Sequence, residues 1–421
     1  MSETGKTSNI SGFYKLPPAE RMKLVKEFSG LTDEEAQVLS NTGGLDLKTA
    51  DIMVENVIGG LTLPLAVATN FKINGRDYLI PMAIEETSVV AAASNAAKMA
   101  RLKGGFHTES TEPVMIGQIQ LVGVPNPTDA KEKILKAKDR ILFIAKEQDS
   151  VLAKFGGGPR DLTVKIIDTP QGQMLRVHLM VDVRDAMGAN AVNTMAEAIA
   201  PLLEQLSGGK ALLKIISNLA VNRLARAKAV FAKEAVGGPE TVDRIVQAYL
   251  FAENDIYRCA THNKGILNGI IAVAVATGQD HRALEAGAHA YAAMERYKPL
   301  TRFYKSKDGD LVGEIELPMA VGTIGGATKV HPAFKACQKI LGAKTSKEMG
   351  EVMAAVGLAQ NLAALRALSS EGIQKGHMSL HARNIAIMAG ASGDKIEQIA
   401  AQMVKEGNVR MSRAQELLNT Q

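Results

Sequence analysis

The residues best suited to chemistry are a pair of acids, one framed lysine and two histidines. Glu85 and Glu86 stand where a strand-like stretch meets an Ala-rich helix. Acids at a helix start either complement the helix dipole or, where one is shielded from water, hold a proton that can be given up at neutral pH. Lys264, in THNKGILNG, is framed by Asn263, Gly265, Asn268 and Gly269, with Arg258 one or two helical turns upstream. Small and amide-bearing neighbours make a polar concavity where a cation can polarise a carbonyl, although a lone Lys is as readily a solvated surface charge. His377 and His381 lie four apart, but the Glu of a zinc-binding HExxH helix is missing and no third ligand is near, so no metal is expected. His377, directly after Gly376, is the better placed of the two to donate a proton from a closing segment. The turn RDAMGAN separates a strand ending at Val183 from a helix beginning near Asn190. Gly188 and a helix N-terminus together can take a phosphate, and they equally suit a plain strand-to-helix turn. No GxGxxG, Walker or GxSxG motif occurs, and neither Cys259 nor Cys337 has a base beside it in sequence, so nucleophilic hydrolysis is unsupported.

Those groups need elements to hold them. Up to about residue 110, two polar helices (PPAERMKLVKEFSG, TDEEAQVLSN) precede LTLPLAVATNFKINGRDYLIPM, where NG punctuates strand-like alternation, and then the Ala-rich helix, stopped by Gly104 and Gly105. From 111 to 218 the pattern is sharper. PVMIGQIQLVGV predicts a strand, followed by a helix with Ile134, Leu135, Ile141, Leu142 and Ala145 at helical spacing. DLTVKIIDT and QMLRVHLMVDV predict two more strands, then comes a helix with Val192, Met195, Ile199, Leu202 and Leu206 inward, and KALLKIIS closes the unit. The order βαββαβ is the ferredoxin-like arrangement, an antiparallel sheet with two helices on one face. From 219 the chain reads as strongly helical, NRLARAKAVFAKEA included, with a strand-rich patch at DGDLVGEIELPMAVG. The last stretch of about fifty residues reads as a small appended helical module.

Composition sets the class. A chain of 421 residues is long enough for two or three domains, and 46% hydrophobic with 22% charged residues is ordinary for a globular α/β protein. Two cysteines make no disulfide framework, the N-terminus lacks a signal-peptide core, and apolar runs such as GIIAVAVATG are too short for a bilayer; the expectation is a cytoplasmic protein without a membrane anchor. A net charge of +5 without a Lys/Arg block speaks against nucleic acid.

Seven motifs bind these signals together: ENVIGGL at 55–61, MAIEETSVVAAAS at 82–94, DAMGAN at 185–190, THNKGILNG at 261–269, ATGQD at 276–280, GTIGGAT at 322–328 and GHMSLHARN at 376–384. In this order they resemble the hydroxymethylglutaryl-coenzyme A (HMG-CoA) reductases, and the C-terminal module is similar to that of the class II, bacterial and archaeal, members. The resemblance implies a large helix-rich substrate and dimerisation domain over 1–110 and 219–374. It further implies an inserted, non-Rossmann, ferredoxin-like NAD(P) domain over 111–218 and a C-terminal flap over 375–421. By the same resemblance Lys264 would stabilise the oxyanion, Glu86 would donate the carbonyl proton, Asp280 would sit against both, and His377 would protonate the coenzyme A thiolate. Ser88, Arg258, Thr261, Asn268 and Gln360 would contact the substrate. Asp185, Met187, Gly188, Asn190 and Asn218 would line the nicotinamide cofactor, and Asp149 would favour NAD(H) over NADP(H) by repelling a 2′-phosphate. HMG-CoA, mevalonate and coenzyme A are the implied ligands, and a homodimer with shared active sites, open to further assembly, is the implied state. The rival from another class is a coenzyme A-dependent acyltransferase or lyase without redox chemistry, and a non-catalytic binding homologue is a third.

Overall fold

The structure, a computed structural model, describes residues 6–41, 44–370 and 373–419, with the backbone alone at 327, 329 and 373–380. Among these residues ten strands build two sheets. In chain order they are β1 (Leu65–Ile73), β2 (Arg76–Ala83), β3 (Phe106–Ser110), β4 (Val114–Val122), β5 (Gly158–Thr169), β6 (Gly172–Asp182), β7 (Lys210–Ser217), β8 (Leu224–Phe231), β9 (Thr301–Lys305) and β10 (Leu311–Pro318). The larger sheet runs β2-β1-β3-β8-β10-β9 and the smaller β5-β6-β4-β7.

The larger sheet starts from the hairpin that NG announced: Asn74 and Gly75 have φ of 47° and 83°, the pair of left-handed residues that a tight two-residue hairpin turn requires. Its core face packs on the helix Ser346–Ser369, buried on nearly every side along its apolar middle, 352–359. This helix is long and apolar enough to cross a membrane by length and composition, yet 67% of its most apolar window is buried inside the protein. It crosses the helix Ile256–Ala276 at glycines. A Cβ on Gly357 would stand 2.8 Å from Ile270, and one on Gly269 would stand 3.1 Å from Gln360.

One expected helix is a strand. LARAKAVF forms β8, with Ala225, Ala227, Ala229 and Phe231 buried and Arg226 and Lys228 on the outer face. Ala, Arg, Lys and Leu are strong helix formers, but the period here is two, and pairing to β3 and β10 on both sides overrides propensity.

The smaller sheet is antiparallel throughout, and its order places β4 and β6 at the centre as a ferredoxin-like unit does. Val177, Leu179 and Val181 meet Val192, Met195 and Ile199 of the helix Ala189–Ser207 in a separate hydrophobic cluster. The single helix expected over 128–145 is two, Pro127–Lys136 and Lys138–Lys146, parted at Ala137, and Leu135 faces solvent. At the C-terminus three helices, Ile373–Met388, Asp394–Lys405 and Met411–Asn419, enclose a small core of their own around Ile385, Ile399 and Met403.

Candidate functional site

Lys264 lies in the middle of Ile256–Ala276, a helix started by Asp255, whose carboxylate accepts the Arg258 N–H at 2.7 Å. One face of that helix is buried through Cys259, His262, Asn263, Ile266, Leu267 and Ile270. Helical geometry therefore turns Arg258, Thr261, Lys264 and Asn268 outward along one stripe. Glu86 reaches this stripe from the junction between β2 and the helix Val89–Arg101. Its Oε2 lies 3.3 Å from Lys264 Nζ and 3.5 Å from Asn268 Nδ2. Ser88 heads the same helix with a left-handed φ of 74°, a conformation that costs energy for a residue with a Cβ and that clusters at functional sites. In one chain Glu86 is not shielded from water: its side chain is 44% exposed and that of Lys264 58%. Gln360, on Ser346–Ser369, approaches the stripe from behind at Gly269, and its buried Oε1 has no hydrogen-bond partner in the structure. Thr261 turns its hydroxyl to the Tyr257 carbonyl of its own helix, at 3.5 Å.

Asp280 does not join this cluster within the chain. From Lys264 the helix runs on to Ala276, a rise of about 18 Å, and Asp280 lies beyond its end. There its carboxylate caps the helix His281–Ala292 through the Ala283 N–H at 3.1 Å and pairs with Arg282 at 3.2 Å. Within one chain Asp280 therefore forms no hydrogen bond or ion pair with Lys264 or Glu86, whose own partners are each other and Asn268.

The residue before it, Gln279, ties the Asp280 loop to a second cluster, built on the turn 183–188. Gly188 caps Ala189–Ser207 with φ 106°, and a Cβ there would lie 2.7 Å from Val183, so only glycine fits. No side chain caps this helix start, which leaves its first N–H groups suited to an anion; Asn190 is exposed in its first turn. The turn is tied to the segment 321–324: the Thr323 N–H donates to the Asp185 carbonyl at 2.9 Å, and Ala186 bridges Ile324 in parallel. Asp185 Oδ1 also accepts the Ser346 N–H at 2.8 Å, joining the turn to the start of the central helix. Gln279, the neighbour of Asp280, exchanges two 2.9 Å hydrogen bonds with the backbone of Gly322. Arg223 is buried beneath, its guanidinium donating to the carbonyls of Ala186, Met187 and Val321. Burial pushes its pKa down to about 10, against the pull of Asp185 and Asp182, so it stays charged at neutral pH. Asp182, itself buried, is held by Arg160 at 2.8 Å and Arg184 at 2.6 Å.

Asn218 follows β7, and its carbonyl lies 2.5 Å from where a Cβ on Gly287 would be, so the helix led by Asp280 packs closely on it. Asp149 caps the short helix Ser150–Lys154 with Oδ1 on the Leu152 N–H at 2.8 Å, and Leu152 packs against Gly157 beside the Asp182 carbonyl. The side chain of His377 lies outside the described residues; its backbone is in Ile373–Met388.

Three groups beside these clusters carried no signal in the sequence. Gln279 sits inside ATGQD but carries no signal of its own, and Arg223, within VNRLAR, looks like a solvated charge. The third is the basic rim of a cavity of about 1050 Å³, where Lys15, Arg21 and Lys98 accompany Val90, Ala91, Ser94 and Asn95 on one face of the helix that Ser88 begins.

His262 is structural. Its Nε2 lies 2.7 Å from Thr301 Oγ1, which donates in turn to Asn361 Oδ1 at 2.7 Å. A hydroxyl with its one proton committed must accept from the imidazole, so Nε2 carries a proton, and the buried Nδ1, which has no partner, is the bare nitrogen of a neutral ring. Burial pushes its pKa down to about 3.

Residues 17–382 match the family model of hydroxymethylglutaryl-coenzyme A reductase. The chain is 59% identical over 412 residues to 3-hydroxy-3-methylglutaryl-coenzyme A reductase of Archaeoglobus fulgidus, covering 98% of this chain and 94% of that protein. It is 38% identical to the probable reductase of Borreliella burgdorferi, over 79% of this chain and 77% of that one. Among solved structures, the Streptococcus pneumoniae reductase superposes with a TM-score of 0.84 at 40% identity, over 97% of this chain and 99% of that chain. A structure described as the class II enzyme of the same organism, bound to NADPH in open conformations, gives 0.82 at 40% identity, over 96% and 99%. With the family model spanning most of its length, the chain belongs to the hydroxymethylglutaryl-coenzyme A reductase family.

Proposed function

We propose that the chain interconverts HMG-CoA with mevalonate and coenzyme A, through mevaldyl-CoA and mevaldehyde, using two molecules of a reduced nicotinamide nucleotide in the reductive direction. The observation that carries this reading is the Lys264 ammonium 3.3 Å from Glu86, with Asn268 directed at the same carboxylate oxygen. Converting a thioester to an alcohol calls for one site that stabilises an oxyanion twice, a proton for the carbonyl oxygen and a proton for the leaving sulfur. Lys264 supplies the positive charge where the oxyanion develops. Glu86, within reach of the same point, supplies the carbonyl proton. Arg258, on the same stripe, suits the terminal carboxylate of the hydroxymethylglutaryl group, and Ser88, Thr261, Asn268 and Gln360 are its proposed polar contacts. The basic rim of the 1050 Å³ cavity suits the phosphates of coenzyme A, because its wall is the helix that begins three residues after Glu86. His377, at the start of the terminal module, is proposed to protonate the departing thiolate as that module closes.

The turn at Gly188 fits a nicotinamide nucleotide, since an uncapped helix start and a glycine that tolerates no Cβ make a cradle for its pyrophosphate. When bound, that nucleotide supplies the hydride. Asp185 and Met187 shape the cradle, Asn190 and Asn218 flank it, and residues 111–218 are the proposed nucleotide domain. A preference for NAD rests on Asp149 alone, and the pneumococcal relative was solved with NADPH. The ratio of kcat/KM for NAD over NADP, in wild type and in Asp149→Ala, decides the matter; an unchanged ratio removes Asp149 from specificity.

The gap between Lys264 and Asp280 supports a dimer in which each site takes Asp280 from the partner. Ile58 and Leu61, 100% and 95% exposed in the single chain, give ENVIGGL the apolar surface of an interface. Mevalonate, coenzyme A and either oxidised nucleotide should together raise the near-ultraviolet absorbance of reduced nicotinamide. No rise with NAD or NADP would leave the non-redox acyltransferase or lyase reading in its place.

A further inference from the structure

Arg223 is 5% exposed, placed between β7 and β8, and directs its guanidinium at backbone carbonyls. Nη1 lies 3.1 Å from both Ala186 O and Met187 O, and Nη2 donates to Val321 O. Burying a cation is costly, and an apolar side chain of similar volume would satisfy packing alone. What the cation provides is a span: one planar fork joins the turn 183–188 to the segment 321–324, two stretches of chain far apart in sequence. The second stretch passes the connection on, since Gly322 is held on both its N–H and its carbonyl by Gln279, the residue before Asp280.

We propose that Arg223 is a positioning residue for the nicotinamide nucleotide: it draws the carbonyls of Ala186 and Met187 inward and so holds the turn before Ala189–Ser207 in its receiving shape, in fixed register with the Asp280 loop. The proposal rests on the reading of that turn as the nucleotide site. A lysine at 223 keeps the charge but presents one compact ammonium, which cannot reach both segments as a planar fork does.

The test uses the full chain and measures two dissociation constants separately, NADPH by its fluorescence and coenzyme A by calorimetry. Arg223→Lys should weaken NADPH binding about tenfold and leave coenzyme A binding within about twofold. Backbone hydrogen exchange should rise at 186–190 and 321–324 but not at 262–269. Equal losses for the two ligands, or no loss of NADPH binding, would overturn the proposal. If Arg223→Lys does not fold, Arg223→Gln, which retains an N–H donor at reduced reach, is judged by the same ratio. Gly188→Val separates the two levels of argument. If it binds NADPH as wild type does, the nucleotide site is elsewhere; if it loses binding while Arg223→Lys does not, only the role of Arg223 fails.

Discussion

The two candidate clusters are built in opposite ways. Glu86, Lys264 and Asn268 stand on the surface of two helix-bearing elements, partly solvated, joined by bonds of 3.3 and 3.5 Å. The turn at 183–188 is locked from below by Arg223, from the side by Thr323 and from the end by Ser346, and Asp280 is coupled to it through Gln279. The Glu86–Lys264 cluster is loose and its side chains are able to adjust, whereas the turn presents a shape fixed in advance. Under the proposed function, pre-organisation serves the turn that would bind a phosphate, and freedom is tolerable where the Lys264 ammonium would follow an oxyanion through two reductions.

The contrast can be broken at its reactive half first. Lys264→Ala should lower kcat by about three orders of magnitude while the melting temperature stays within a few degrees, because the ammonium is largely exposed and its loss opens no cavity. Normal turnover in that variant would contradict the mechanism. Whether the halves meet across a dimer is sharpened by mixing two inactive chains, Lys264→Ala and Asp280→Asn. Random pairing puts one intact site in each hybrid dimer and restores about a quarter of wild-type activity, whereas cooperation inside one chain restores none. At the braced half, Gly188→Val should raise the NADPH dissociation constant by roughly tenfold or more with little change for coenzyme A, since a side chain there strikes Val183.

The smallest effect concerns stability. The folded His262 titrates near 3 and the unfolded side chain near 6.5, so between these values the unfolded chain binds a proton that the folded chain does not. Stability is therefore lost as pH falls through that window, by about 2 kcal/mol between pH 6.5 and 5 from this group. Denaturant midpoints at about pH 7 and pH 5 should converge in His262→Asn relative to wild type; an unaltered difference would show that this imidazole does not set the acid limb.

Much of the frame was legible because it is local. The hairpin at Asn74–Gly75 follows from turn chemistry, the smaller sheet from alternation and helical spacing, and the separate terminal helices from a change of pattern after 370. β8 was misread because its residues favour a helix when isolated and become a strand only between two partners. Of the candidate site, the motifs marked Glu86, Lys264 and the turn at Gly188 by resemblance, but Arg223 and Gln279 left no trace, since a buried arginine and a solvated one are the same letter.

By itself, the sequence determined which residue types were available and most of the helices, strands and turns, those that depend on neighbours a few positions away; β8, which needed two distant partners, was not among them. Only the tertiary structure decided which of them meet. It brought Lys264 to Glu86, across 178 positions, and tied the loop carrying Asp280, through Gln279, to the segment beside the turn 183–188 instead. The reason is geometric: a straight helix keeps its two ends apart whatever its sequence, and a contact between distant segments depends on how the helices and sheets pack.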